Sequence, residues 1–484
     1  MSTTDTTKQP TPTVRFGMRS TRGVMLGFSG LRAAVLGAAV VVIVISLMAG
    51  GVEGLVFSGI FLWGPLTATA FVRVQGRPVV EWAPVWLHWR ARVSTGQTEY
   101  RAKIVDAPRP AGTLALPGEG APLRFFVDEQ GICYVHDPWR QTLTAVLAVE
   151  HSAFALLSPD QQAQHVWGWG RALANLGASE SFSAVQVLES VVSDPGTAVK
   201  KWWTENGEHD GSFASKAYDD LLSQTSLASA THRSTVSLSL DMRRGKAIAQ
   251  AGGGVKGAAE VLSHDMESLE LSLRAADLRV GHWLGADELA VVVRSAYDQE
   301  ASLTTASPGA ALAHAGPIAV SEHWDRLHTD SGWATVLWIS EWPRLDVPPD
   351  FLHHLIFTSG VRRSFSLIAR PLSTSTALRQ IRKEKTEVLA DRAQKAKIGA
   401  VESLSDVQEY RDIEAREQAL IAGHADVELA GLVAVSAPTE PELKAAVSAV
   451  SRAASQASCE TRILYGQQSQ AFLSAALPFA RRIW

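Results

Sequence analysis

LRAAVLGAAVVVIVISLMA (residues 31–49) and VEGLVFSGIFLWGPLTATAFV (residues 52–72), joined through Gly50 and Gly51, decide how this chain is organised. The first run carries only Arg32 as a charge, at its edge, and the second only Glu53, at its start. Each is about 20 residues long, enough at about 1.5 Å rise per residue to cross a hydrocarbon core of about 30 Å. The expectation is a hairpin of two transmembrane helices. A helical hairpin buried in a soluble protein is one rival reading. A cleaved signal peptide is another, since the Arg-bearing leader and LMAGG resemble one, but a second apolar run following at once favours the hairpin.

The charges set the orientation. Lys8, Arg15, Arg19, Arg22 and Arg32 precede or begin the first run, and Arg73, Arg77, Arg90, Arg92, Arg101 and Lys103 follow the second. The turn between the runs has neither Lys nor Arg. Positive charge is retained on the cytoplasmic side. The chain is therefore expected in the plasma membrane with two spans, both termini cytoplasmic and only Gly50 to Glu53 reaching the outer face.

Composition narrows the rest. The chain has 484 residues and a formal charge of -4. It is thus not an electrostatic nucleic-acid binder as a whole. Basic residues concentrate beside the membrane, where anionic headgroups account for them. Cys133 and Cys459 form no CxxC pair and no disulfide framework, in keeping with a reducing compartment. Of fifteen Trp, Trp82, Trp86 and Trp89 lie just past the second run, where interfacial Trp is expected. The spacing of Trp82, Val85, Trp86 and Trp89 suits one helix face resting on a bilayer or a partner.

Periodicity then divides the chain into a cytoplasmic leader (1–30), the hairpin (31–75), an interfacial helix with a Pro-rich connector (76–112), an α/β body (113–372), a charged helical pair (373–424) and a C-terminal α/β segment (425–484). The first dozen residues read as disordered. In the body, strands at 123–127, 132–136 and 141–149 precede a helix opened by Ser158-Pro159-Asp160-Gln161, a capping-box sequence. A strand follows at 181–192. Further on come helix 213–230, strand 234–241, helices 255–276 and 286–297, strands 317–326 and 332–340, helix 350–357 and strand 361–370. The strand–helix–strand of 332–370 echoes that of 141–192 without any residue-level repeat. The expected fold is α+β, with β-α-β units of ferredoxin-like type in antiparallel sheets covered by helices.

The charged pair spans about 374–396 and 406–422. Ser405 and Gln408 supply a capping box for its second helix, which stops near Gly423. It reads either as a solvated helical pair or as a docking arm projecting from the body. Beyond it come strand 426–435, helix 441–454 capped by Thr439 and Glu442, strand 461–464 and helix 468–477.

No segment carries recognisable chemistry. Phosphate cradling would need GxxxxGK[ST]; Gly252-Gly253-Gly254-Val255-Lys256-Gly257 lacks the Lys-Ser/Thr pair and reads as a flexible turn. Glu322, His323, Asp325 and His328 are the densest set of metal-ligand types, but the spacing is not HExxH, and on a strand the two His would face opposite sides. His353 and His354 point apart on a helix and pair with nothing. There is no GxSxG elbow, and neither Cys has a nucleophile signature. No catalytic, cofactor-binding or metal-ligating residue is assigned, no cofactor is expected, and the chain is not expected to be an enzyme.

Three segments carry a resemblance. FGMRSTRGVMLGFSGLRAAVLG (16–37), running into the double span, resembles the small PrgI-type membrane proteins of type IV secretion and conjugation. GRPVVEWAPVWLHWRARVSTGQTEYRAK (76–103) resembles the membrane-proximal part of their actinobacterial relatives. LYGQQSQAFLSAALPFA (464–480) resembles the end of the N-terminal, non-catalytic domain of VirB/TraC-type conjugation ATPases, with Gln468, Phe472, Leu477 and Pro478 at the matching positions. Such an ATPase would continue into a P-loop domain, and no P-loop is present here. The resemblance implies a membrane-anchored structural and docking subunit of a conjugative or type IV secretion-like apparatus. Its implied partners are the bilayer, a P-loop ATPase acting in trans, other channel subunits and further copies of itself, with no direct nucleic-acid binding. Two other classes stay open: a membrane-anchored enzyme with an unrecognised site, and a membrane-tethered DNA-handling module using Arg379, Arg382, Lys383 and Lys385.

Overall fold

The apolar runs form one long helical segment, Gly30–Phe71, of 42 residues, the one helix among the described residues long and apolar enough to cross a membrane. The computed structural model describes residues 14, 16, 29–102, 112–150, 154–194, 197–224, 229–299, 312–397 and 404–482. The leader, apart from Val14, Phe16 and Ser29, and the Pro-rich connector (Lys103 to Ala111) therefore lie outside the described residues. The chain divides into two compact units, Met18–Gln97 and the remainder (Met1–Gly17 with Thr98–Trp484).

In the smaller unit, helix α1 (Gly30–Ser58) is interrupted at Gly51, whose φ of 57° and ψ of -147° suit glycine alone. A π-turn at Gly59–Trp63 leads into α2 (Gly64–Phe71). Past the break, a Cβ on Gly54 would lie 2.9 Å from the Ser46 carbonyl oxygen, an approach that only a glycine permits. Strands β1 (Arg73–Val74) and β2 (Arg77–Pro78) form a small hairpin, and α3 (Val79–Ser94) follows. Glu81 of α3 accepts from Ser29 Oγ at 2.8 Å and pairs with Arg32 at 3.2 Å. The start of α1 is thus clipped to a residue that lies beyond the end of α2.

The larger unit is built on one antiparallel sheet of thirteen strands rather than several sheets. In chain order its elements begin with β3 (Glu99–Arg101), β4 (Arg124–Val127), β5 (Cys133–Asp137), β6 (Thr142–Val149), α4 (Pro159–Ala178) and β7 (Phe182–Asp194). Next come α5 (Thr197–Asn206), α6 (Phe213–Gln224), β8 (Ser229–Asp241), α7 (Lys246–Gln250), α8 (Gly254–Ala275), β9 (Val280–Trp283) and α9 (Ala286–Tyr297). The chain continues through β10 (Ala319–Glu322), β11 (Leu327–Thr329), β12 (Gly332–Glu341), α10 (His353–Ile356) and β13 (Arg362–Pro371). It ends with α11 (Thr374–Lys397), α12 (Leu404–Ile421), β14 (Val427–Ala437), α13 (Glu440–Gln456), β15 (Glu460–Ile463) and α14 (Gln468–Ala476). The sheet order is β3-β10-β11-β12-β14-β13-β7-β8-β6-β5-β4, with β15 beside β12 and β9 beside β6.

That order contains the same arrangement twice. The run β4-β5-β6-α4-β7-β8-α8-β9-α9 is matched by β10-β11-β12-α10-β13-β14-α13-β15-α14. In each half the fourth strand of the run lies at the seam, the fifth next to it, then the third, which shares its outer edge between the second and the last. Each half also inserts a helical pair at the same point, α5–α6 between β7 and β8 and α11–α12 between β13 and β14. The halves meet through β7 and β13, equivalent strands paired antiparallel, with Leu188 opposite Ser366 near the middle of the ladder. Antiparallel pairing of equivalent strands is what a two-fold relation between halves requires.

Side-chain alternation explains why helices cover both faces. On β6, Leu143, Ala145 and Leu147 pack with α4 and α8, whereas Val146 packs with α9 and α14. On β14, Val433 and Val435 face α10 and α13, whereas Leu432 and Ala434 face α14. The capping box of α4 forms as its sequence requires, Ser158 and Gln161 each satisfying the other's backbone N–H. Thr439 caps α13 through Glu442 N. The Ser405 side chain lies outside the described residues. From the leader, Val14 pairs with Val347, and Phe16 stacks on Trp342 with ring centroids 4.9 Å apart.

Candidate docking surfaces and the C-terminal seat

Adjacent arginines on β13 serve opposite faces of the sheet. Arg362 donates to the carbonyls of Ser295, Asp298 and Gln299, closing the C-terminal end of α9. Arg363, 3% exposed, donates to those of Ile356, Thr358 and Val361 beyond α10. Helix C-termini leave carbonyls without partners and carry partial negative charge, so a guanidinium there satisfies both needs. Burial pulls both arginines down to about 10, far enough above neutrality to keep the charge.

The resemblance-bearing C-terminal residues enter the core. Gln468 is fully buried; its Oε1 accepts from Val336 N at 2.8 Å and its Nε2 donates to Leu464 O at 2.7 Å. Phe472 packs on Tyr297 with centroids 5.1 Å apart, and Leu477 is fully buried. The face of the sheet beneath them is polar, which the sequence reading did not anticipate. Gln186 Nε2 donates to Ser366 Oγ, Ser474 O and Leu477 O at 2.8, 3.1 and 3.0 Å, and its Oε1 accepts from Ala480 N at 2.6 Å. Ser237 Oγ donates to Pro478 O at 2.7 Å. Beyond them Arg481, 4% exposed, pairs with Asp137 at 3.1 Å and donates to Glu119 O at 2.7 Å. The non-helical Leu477–Ala480 backbone is thus received by side chains standing in for a missing strand partner. The available signal was Gln186 between the apolar pairs Ala184-Val185 and Val187-Leu188 of β7.

The other singled-out residues scatter. Gly252, Gly253 and Gly254 all have positive φ and open space where a Cβ would stand, forming the turn from α7 to α8. Glu322, His323, Asp325 and His328 lie on the β10–β11 hairpin. Contrary to the strand expectation, both histidines rest against the same ring, Trp333, at 5.5 and 4.5 Å, because the chain reverses between them. No group of three or more His, Cys, Asp or Glu among the described residues could hold a metal ion. His353 and His354 line an open groove of about 330 Å³ between α10 and α13, with Phe357, Thr358 and Arg452. Both cysteines are buried, and burial pushes the thiols up to about 12 for Cys133 and about 11 for Cys459.

The basic run on α11 is engaged across the pair at Lys385, while Arg379, Arg382 and Lys383 are exposed. Lys385 pairs with Glu417 at 2.7 Å, and Arg416 bridges Glu384 at 2.8 Å and Asp426 at 2.7 Å. Between the helices, Ile381, Val388, Ile413 and Leu420 form a small core of their own. The equivalent pair α5–α6 instead leaves Trp202, Phe213 and Leu221 exposed, Phe213 at 89%. Compared with protein-family models and with curated protein sequences, the chain matches none.

Proposed function

We propose that the chain is a membrane-anchored structural and docking subunit of a conjugative or type IV secretion-like apparatus. The apolar segment crosses the plasma membrane twice, as a hairpin turning at Gly51, and both termini stay on the cytoplasmic side. The body on β3 to β15, read as a duplicated ferredoxin-like unit, recruits a P-loop ATPase in trans. Tethering raises the effective concentration of that partner at the membrane without demanding high affinity in solution.

The anchor reading rests on the length and apolarity of Gly30–Phe71, and one contact bears on the number of crossings. Val14 and Phe16, which precede the apolar segment, pack on Val347 and Trp342 of the body that follows it. A chain whose leader and body are in contact must cross a bilayer an even number of times. The clip of Ser29 and Arg32 to Glu81 supports the same reading, since a straight helix of 42 residues would hold its ends about 60 Å apart.

The anchor is tested by alkaline carbonate washing of membranes and by cysteine labelling. Val52→Cys lies at an exposed position of the turn and should react with a membrane-impermeant maleimide on intact cells. A Cys placed at Arg73 should react only after lysis. Release by carbonate, or reaction of both sites on intact cells, removes the two-span reading. The docking role is tested by cross-linking in membranes, with capture of a Walker-motif ATPase as the expected result.

A further inference from the structure

Helix α3 divides its apolar residues between two faces. Val80 is buried, Trp82 donates through Nε1 to Val74 O, and Val85 and Trp89 are half-buried against the rest of the small unit. Trp86 and Leu87, by contrast, are 50% and 60% exposed, and Val93 is exposed one helical step further on. Arg90 lies between them in the same stripe, its guanidinium 5.5 Å from the Trp86 ring centroid. We propose that this outward stripe of α3 (Trp86, Leu87, Arg90 and Val93) lies in the headgroup layer and selects anionic phospholipids.

Three observations choose a leaflet over a protein as the occupant, and the inference rests on the anchor reading above. The first is continuity: only residues 72–78 separate the end of the membrane segment at Phe71 from the start of α3. The second is length and polarity. Sixteen residues rise about 24 Å, and with Arg90 and Arg92 the helix suits the interfacial plane and not a crossing. The third is charge. Across residues 29–97 the cations are Arg32, Arg73, Arg77, Arg90 and Arg92, against Glu53 and Glu81. Glu81 is engaged by Ser29 and Arg32, and Glu53 lies beside the Gly51 break, at the turn of the hairpin read above. At the end that carries α3, Arg73 and Arg90 pair with no acidic side chain among the described residues, so positive charge faces outward there. A guanidinium stacked on an indole is held ready to donate to phosphate oxygens while the ring edge and Leu87 enter the acyl boundary.

The test uses the full chain in nanodiscs of mixed phosphatidylcholine and phosphatidylglycerol, with analysis of the lipid retained after detergent exchange and hydrogen exchange over residues 79–94. Phosphatidylglycerol should be enriched among retained lipids, and exchange in α3 should be slower than in discs of phosphatidylcholine alone. Arg90→Gln should lower the enrichment roughly five-fold, the effect of one basic residue at an anionic surface, and Arg90→Lys should largely restore it. Equal retention of both lipids by the wild-type chain, with α3 exchange identical in the two kinds of disc, overturns the inference even if the chain stays carbonate-resistant. Arg90→Gln matching wild type in enrichment would overturn it as well. Carbonate release of the wild-type chain would instead remove the anchor reading, and this inference with it.

Discussion

Gln186→Leu should be among the most damaging single substitutions in the body, although it preserves side-chain volume. The fully buried amide makes four hydrogen bonds to the C-terminal seat. Two of its acceptors keep other donors: Ser474 O from Ser366 Oγ at 3.0 Å, and Leu477 O from Phe479 N at 3.0 Å. The group left without its partner is the Ala480 N–H, and an unsatisfied buried donor costs about 1–3 kcal/mol. With the net value of the lost bonds added, the seat should weaken by about 2–4 kcal/mol. Ser366→Ala removes one donor from a carbonyl that Gln186 still serves and one of the three acceptors of the Gln186 amide, leaves the Ala480 N–H paired, and should cost about 1 kcal/mol. The assay is hydrogen exchange over residues 464–482 of the detergent-solubilised chain. Gln186→Leu should accelerate the slowest amides there by roughly 30- to 1,000-fold, at tenfold per 1.4 kcal/mol. A change below about 0.5 kcal/mol, or one equal to that of Ser366→Ala, would refute the claim that Gln186 holds the segment.

Further outcomes follow from charge and burial. Burial raises the Asp265 carboxyl above its ordinary range, against weaker opposing effects of Ser179 and His264. A folded-state pKa raised in this way means that stability falls as pH rises through it. Asp265→Asn should therefore be more stable than wild type at pH 7 in thermal melts, and the gain should vanish as acid protonates the wild-type carboxyl. Cys133 and Cys459, with thiols held neutral at pH 8, should resist iodoacetamide in the native chain and react fully in denaturant, as mass spectrometry would register. Arg416→Ala leaves Glu384 and Asp426 without their shared cation in a half-buried site. It should loosen the helical pair by about 2 kcal/mol, seen as faster exchange in α12 with α13 unchanged.

Elements with a strong period were legible from the sequence. Ala286–Tyr297 falls at the bounds its spacing sets, and α8, β12, β13 and α13 lie within a residue or two of theirs. The duplication was legible only as the echo of 141–192 in 332–370, because the halves keep their order of elements without keeping residues. Its plainest obstacle is the helix after the third strand of each half. In α4 it has twenty residues, whereas Pro348, Pro349 and Gly360 leave α10 only four. Helix α5 escaped notice because its short run TAVKKWWTEN offers too few turns to show a period. The polar seat was hidden for a different reason. Thr144, Gln186, Ser237 and Ser366 are residue types that equally suit the wet side of a half-buried strand, and the passage of residues 477–480 across the sheet makes them interior. The paired face of the two histidines at Trp333 likewise depends on a reversal that local spacing does not encode.

The seam between β7 and β13 sets how this body could be divided. Cutting the chain near residue 305 would strip each piece of its neighbour and bare a long, well-formed strand edge, the kind of surface that seeks another backbone. Because the two bared edges are counterparts, a solitary N-terminal fragment would find in its own twin a fair substitute for the absent C-terminal one. Such a fragment should emerge as a homodimer joined along Leu188, a present-day imitation of the simpler assembly from which a gene-fused body of this form would descend.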